Sequence, residues 1–170
     1  KVAFIGCLEN QYLILTEAAL EAAMETNKPI IVHTEKGHNI ELFIDLALSR
    51  GVNPANVLLC HMDKNNNDDF HQELVEQGFF LEYDTFLRPK YYPRQVVYPL
   101  LRQLSKKHFL NKILIGTDIA NNKMWESFAE NGGYRGFYQD IENNLSQVKL
   151  DYKKVIPEIS SNTVKFFSRI

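Results

Sequence analysis

Pro29-Ile-Ile-Val-His-Thr-Glu35 is the stretch from which the fold is read, because three consecutive branched apolar residues run without a break into a histidine and two further polar groups. So short a run, with no polar alternation, predicts a strand buried on both faces, as in a parallel sheet. His33 falls at its C-terminal end, where parallel α/β folds bind ligands and carry out chemistry. Alone, a strand-end histidine is most simply a hydrogen-bonded buried group. Its meaning depends on what the other strands deliver.

The pattern recurs on both sides of this stretch. Val57-Leu-Leu-Cys-His-Met-Asp63 is a second apolar run ending in a histidine and an aspartate. Phe79-Phe-Leu-Glu-Tyr-Asp84 and Lys112-Ile-Leu-Ile-Gly-Thr-Asp118 both end in carboxylates, and Lys1-Val-Ala-Phe-Ile-Gly6 reads as a strand with no turn or cap before it, as if starting in the middle of a fold. Between the strands lie helical patterns: Glu9 to Asn27, Ile40 to Leu48 closed by Gly51, Asp68 to Gly78, and Val96 to Leu104. Further helical segments follow at Phe137 to Leu145 and Glu158 to Phe167. Strands alternating with helices at this spacing are βαβ units with a parallel sheet.

The sequence has 170 residues, of which 45% are hydrophobic, which suits one globular domain or part of a larger one. With 21 acidic and 19 basic residues and a formal net charge of -2, no basic excess points to nucleic acid and no polybasic block to a membrane surface. No apolar run approaches the roughly 20 residues that span a bilayer, and no signal-peptide pattern opens the sequence, so a cytoplasmic location is the default expectation. Cys7 and Cys60 are too few and too far apart for a disulfide framework or a cysteine zinc knuckle.

Lys1, His33, His61 and Asp118 therefore stand on four strands whose ends could converge. Neutral imidazoles and carboxylates are ligands of zinc and related divalent metals, and a site with open positions activates water. Two histidines and an aspartate, each ending a separate apolar run, point to a metal site, against the alternative of hydrogen-bonded strand ends.

Lys-Val-Ala at 1 to 3, Pro-Ile-Ile-Val-His-Thr at 29 to 34, Cys-His-Met-Asp at 60 to 63, Tyr83-Asp84 and Gly-Thr-Asp at 116 to 118 together resemble the second half of a phosphotriesterase-family enzyme of the amidohydrolase superfamily. Asn162-Thr163 is similar to that family's C-terminal Asn-Pro, with Thr where Pro is usual. The resemblance covers residues 1 to 170 and implies a (β/α)8 TIM barrel, of which this sequence supplies strands four to eight with their helices. It implies two divalent ions, zinc by preference, at the C-terminal face. Lys1 matches the strand-four lysine, which is carboxylated by CO2 and bridges both ions. His33 and His61 match ligands of the more exposed ion. Asp118 matches a ligand of the other ion that also handles the proton of the bridging hydroxide. The strand-one His-x-His pair is absent from the five histidines here. An N-terminal part of roughly 130 to 180 residues is therefore expected in the working protein, by subtraction from the usual barrel size.

The family hydrolyses esters in a wide sense, and the βα loops choose the substrate. Lys36, Lys64, Arg88 and Tyr91 (with Lys90) lie on three of these loops, and such cations suit an anionic small molecule. The resemblance therefore favours a phosphorylated sugar lactone, with organophosphate triesters as an alternative. Solvated loop cations are the plain reading of any one of them. His38 at a helix start, and His71 and His108 on helices, read as capping or surface residues. Trp125 and Tyr134 read as a lid or as loop packing, and Asp63 and Asp84 as carboxylates that orient a ligand or cap a loop.

Two rivals stand beside this reading. The metal-dependent deoxyribonuclease branch carries Glu where Lys1 stands and Glu-Thr-Asp in place of Gly116-Thr117-Asp118, and the negative charge disfavours it. A barrel remnant that binds a phosphorylated ligand without turnover is the other. Family members are often homodimers, and no feature of the sequence demands it.

Overall fold

A computed structural model describes residues 2–125 and 132–168. Five strands, β1 (Val2–Phe4), β2 (Ile30–Thr34), β3 (Val57–Cys60), β4 (Phe80–Tyr83) and β5 (Ile113–Ile115), form one parallel sheet in chain order, with β1 and β5 at its edges. Sequential order and parallel pairing follow from the helical crossovers α1 (Asn10–Thr26), α2 (Ile40–Ser49), α3 (Asp68–Glu76) and α4 (Val97–Lys106). Two further helices follow, α5 (Gly133–Gln147) and α6 (Tyr152–Phe167).

Local chemistry sets the helix ends. Asn27 ends α1 in the left-handed region. The Asn67 side chain caps α3 by accepting from Phe70 N at 3.1 Å, with Asp68 and Asp69 in its first turn where the helix dipole favours them. α6 starts at Tyr152, ahead of the expected Glu158, because Asp151 accepts from Lys153 N and caps it, and Pro157 is accommodated inside the helix.

Alternate strand residues pack on opposite faces. Val57, Leu59, Leu81 and Ile113 join the main core with Leu20, Phe43, Leu74, Leu101 and Ile159 from the helices. Leu58, Cys60, Phe80 and Leu114 form a smaller cluster on the other face, sealed by Phe166, whose ring meets Phe80 with centroids 5.1 Å apart. Asn162 fastens α6 to the edge of the sheet. It is fully buried, and its Nδ2 donates to the carbonyls of Leu110 at 2.7 Å and Ile113 at 2.9 Å. Among the described residues no helix is long and apolar enough to cross a membrane, and Cys7 and Cys60 form no disulfide.

Candidate metal centre

β2 and β3 run in register with His33 opposite Cys60, so His61 emerges one step beyond its neighbour. Thr34 fixes the end of β2: its hydroxyl donates to Cys60 O at 2.8 Å and accepts from Gly37 N at 3.1 Å. His61 leaves β3 at φ 62°, a left-handed conformation uncommon for a side-chain-bearing residue and frequent at functional sites. Its Nε2 then lies 2.9 Å from His33 Nδ1, with the two rings edge to face at 75°.

Each imidazole has a carboxylate at its other nitrogen. Glu35 Oε1 is 3.6 Å from His33 Nε2, and Asp84 Oδ2 is 2.6 Å from His61 Nδ1. The second contact is close but not aligned along the N–H direction, so among the described residues His61 Nδ1 and Asp84 Oδ1 are buried without a hydrogen bond. Histidines backed by carboxylates are also the usual surroundings of metal-bound imidazoles.

Asp84 is itself held from below. Asp63 Oδ2 accepts from Asp84 N at 3.0 Å, Thr85 N at 2.8 Å and Thr85 Oγ1 at 2.6 Å, which fixes the turn that aims Asp84 at His61. Burial, reinforced by the charge of Asp84, pushes the Asp63 carboxyl up to about 7.

Asp118 lies three residues past β5 at φ 41°. Ligand atoms of His61, Asp84 and Asp118 fall within 4.8 Å of one another. Arg88 crosses to Asp118, its Nη2 donating to the carboxylate at 2.6 Å and to the backbone carbonyl at 2.8 Å. The fit of Gly116 is tight: a Cβ there would sit 2.7 Å from Glu82 Oε1 and 3.2 Å from Asp84 Cβ. A Glu at that position, as in the deoxyribonuclease pattern, has no room beside Glu82.

The structure thus brings His33, His61 and Asp118 to one end of the sheet, whereas Lys1 lies outside the described residues. Lys64 Nζ stands 5.1 Å from the centre of the Tyr91 ring and Lys90 Nζ 4.6 Å from it. Tyr91 N donates to Arg88 O at 2.9 Å, so Lys64, Arg88 and Tyr91 share one neighbourhood. Lys36, at φ 59°, lines a separate depression of about 640 Å³ with His38, Asn39 and Asn65. Trp125 and Tyr134 pack edge to face at 6.2 Å.

Two expectations are corrected. His71 is no surface residue: it is fully buried on α3, in contact through Nδ1 with the Tyr83 hydroxyl, and burial lowers its pKa to about 4. His108 is not on a helix but two residues past α4, in a left-handed turn at φ 63°. Asp84 and Glu35 matter more to the site than the sequence suggests. The signal for Asp84 is its place at the end of an apolar run, like His33 and His61.

A parallel α/β chain that gathers imidazoles and carboxylates at its strand ends is the class defined by this fold and site. The model of the phosphotriesterase family matches residues 5–167, and the chain belongs to that family. It is 28% identical over 137 residues to the phosphotriesterase homology protein of Escherichia coli (strain K12), covering 78% of this chain and 46% of that protein. It is 26% identical over 114 residues to the phospho-furanose lactonase of Mycoplasmopsis synoviae (strain 53), covering 66% and 32%. An aryldialkylphosphatase of Saccharolobus solfataricus is 28% identical over 109 residues, covering 64% and 35%. The fold superposes with a TM-score of 0.88 on the phosphotriesterase homology protein from Escherichia coli complexed with phosphate in its active site, at 22% identity, covering 98% of this chain and 58% of that one. The chain spans less than half the length of these curated relatives.

Proposed function

We propose that the protein is a metal-dependent hydrolase that opens a phosphorylated sugar lactone. The observation that carries the metal site is the facing pair His33 Nδ1 and His61 Nε2, each imidazole backed by a carboxylate. In this reading those two nitrogens would hold one divalent ion, and Asp118 and Lys1, the latter carboxylated by CO2, would supply further oxygen ligands to the centre. Zinc suits this nitrogen and oxygen donor set. When bound, the ions supply Lewis-acid activation of water and of the scissile carbonyl.

The chain's own groups do the rest. Asp118 accepts the proton of the attacking water and passes it to the ring oxygen as the C–O bond breaks, leaving a hydroxy acid. Asp84 and Glu35 orient the imidazoles, and Asp63 keeps Asp84 in place. Lys64, Arg88 and Tyr91 take the phosphate, with Lys36, which lines a separate depression, as a further cation for it. Support for an anionic substrate also comes from relatives: one is named a phospho-furanose lactonase and another holds phosphate in its active site. The aryldialkylphosphatase relative supports organophosphate triesters as a second reading. Both edges β1 and β5 are unpaired among the described residues and the relatives are longer, so in this reading further strands close the sheet into a barrel.

The test is a hydrolysis panel with zinc-loaded protein: phosphorylated lactones, their unphosphorylated counterparts, an organophosphate triester and single-stranded DNA. A kcat/KM at least tenfold higher for a phosphorylated lactone than for its neutral counterpart supports the reading. Turnover confined to the triester or to DNA overturns it.

A further inference from the structure

We infer that Arg88 is an exchange clasp: without substrate it holds Asp118, and the anionic group of the substrate draws it away, so that Asp118 is released for reaction only when the correct ligand is present. This rests on the hydrolase reading above and extends it to how the site rejects neutral esters.

The geometry of Arg88 carries the inference. One nitrogen, Nη2, makes both contacts to Asp118, with side-chain exposures of 18% for Arg88 and 25% for Asp118. While that contact stands, an oxygen of the proposed proton carrier is taken up by a charge-assisted hydrogen bond. The guanidinium is nevertheless only partly satisfied, because its Nε is buried and among the described residues has no acceptor. A guanidinium prefers to meet an oxyanion with two parallel N–H groups, and a phosphate dianion offers the oxygens that a single carboxylate contact leaves unmatched. The other groups suited to an anion stand beside it: Tyr91 is tied to Arg88 by the turn hydrogen bond, and Lys64 lies over the Tyr91 ring. Lys64 and Arg88 approach from different loops, so a dianion between them gains two cations, whereas among the described residues Asp118 pairs with Arg88 alone.

The consequence is specificity in the reaction step rather than in binding alone. Contacts to a remote, unreacting phosphate are used to free a group at the reacting centre. A neutral lactone leaves Arg88 on Asp118 and reacts slowly. A dianion supplied separately should restore the release. Exchange also couples the phosphate and metal sites reciprocally, because Arg88 and an ion compete for one carboxylate.

The experiment compares the wild type with Arg88→Ala in two measurements. In the first, hydrolysis of a neutral sugar lactone by the zinc-loaded protein is followed with and without phosphite dianion. Phosphite is expected to raise the wild-type kcat/KM about tenfold or more. Arg88→Ala should hydrolyse the neutral lactone several-fold faster than the wild type, respond to phosphite less than twofold, and lose affinity for the phosphorylated lactone. The second measurement is zinc affinity of the metal-free protein by calorimetry. Arg88→Ala is expected to bind zinc at least threefold more tightly than the wild type. A neutral-lactone rate in Arg88→Ala equal to or below that of the wild type overturns the clasp, as does phosphite activation that survives the substitution. If no lactone is hydrolysed at all, the hydrolase reading fails, and the zinc measurement still decides the clasp: equal or weaker affinity in the variant contradicts it.

Discussion

His61 Nε2 lies 2.9 Å from His33 Nδ1 across adjacent strands, and neither imidazole is turned there by chance. Parallel register sets the two residues one step apart, the left-handed backbone at His61 swings its ring across, and Asp84 and Glu35 stand at the far nitrogens. Two imidazole nitrogens facing each other can share one proton or one metal ion. With an N–H at each far nitrogen, beside its carboxylate, the facing lone pairs are left for an ion.

Asp84→Asn keeps the size of the side chain but removes the charge beside His61 Nδ1. Zinc affinity is expected to fall ten- to a hundredfold, the range for groups that orient metal-bound histidines. Calorimetric titration of the metal-free protein checks this, and an unchanged affinity would remove Asp84 from the site.

Asp63→Ala frees the Asp84–Thr85 turn, whereas Asp63→Asn retains an oxygen that can accept from the same groups. The alanine variant should lose zinc affinity by about tenfold and the asparagine variant should recover most of it. Equal losses in both would show that charge, not the clamp, is what matters.

Much of the arrangement is legible in the residues themselves. Apolar runs without alternation mark the five strands, and helical spacing between them requires parallel order. His33, His61 and Asp118 stand out because a polar group at the end of a buried strand needs a hydrogen-bond partner or an ion, and three such groups at the same end of one sheet can belong to one metal centre. The pairing of Arg88 with Asp118 is not legible, since it joins loops after different strands and depends on how each backbone turns. His71 is easily misread because its helix opens with Asp68 and Asp69, which suggests a solvated face. Yet His71, Leu74 and Val75 fall three and four residues apart, and all three are buried together.

His71 supplies a pH dependence with a definite sign. Its pKa in the folded protein is lowered from 6.5 to about 4, so the unfolded chain binds the extra proton first as pH falls. Stability from this group is complete above about 6.5 and is lost as pH drops through about 4, on the order of 3 kcal/mol in all. Asp63, raised from 3.8 to about 7, works in the opposite direction, since its contribution is complete below 3.8 and lost as pH rises through about 7. The difference between wild type and His71→Gln therefore isolates the histidine. Denaturant midpoints from pH 8 to 4 should fall less steeply for His71→Gln, and parallel curves would contradict the assignment.

Asn162→Ala strands the carbonyls of Leu110 and Ile113 and releases α6 from the sheet edge. A loss of about 2–4 kcal/mol is expected, from roughly 1–3 kcal/mol for each buried group left unpaired. Urea denaturation measures it, and a change under about 0.5 kcal/mol would contradict the fastening role.

The most direct test is a crystal structure of the zinc-loaded protein with anomalous scattering measured at the zinc edge. The account predicts a zinc peak bounded by His33 Nδ1 and His61 Nε2, each at about 2.0–2.1 Å. Zinc held instead by His61 Nδ1 with Asp84, or no zinc between the two imidazoles, would contradict it.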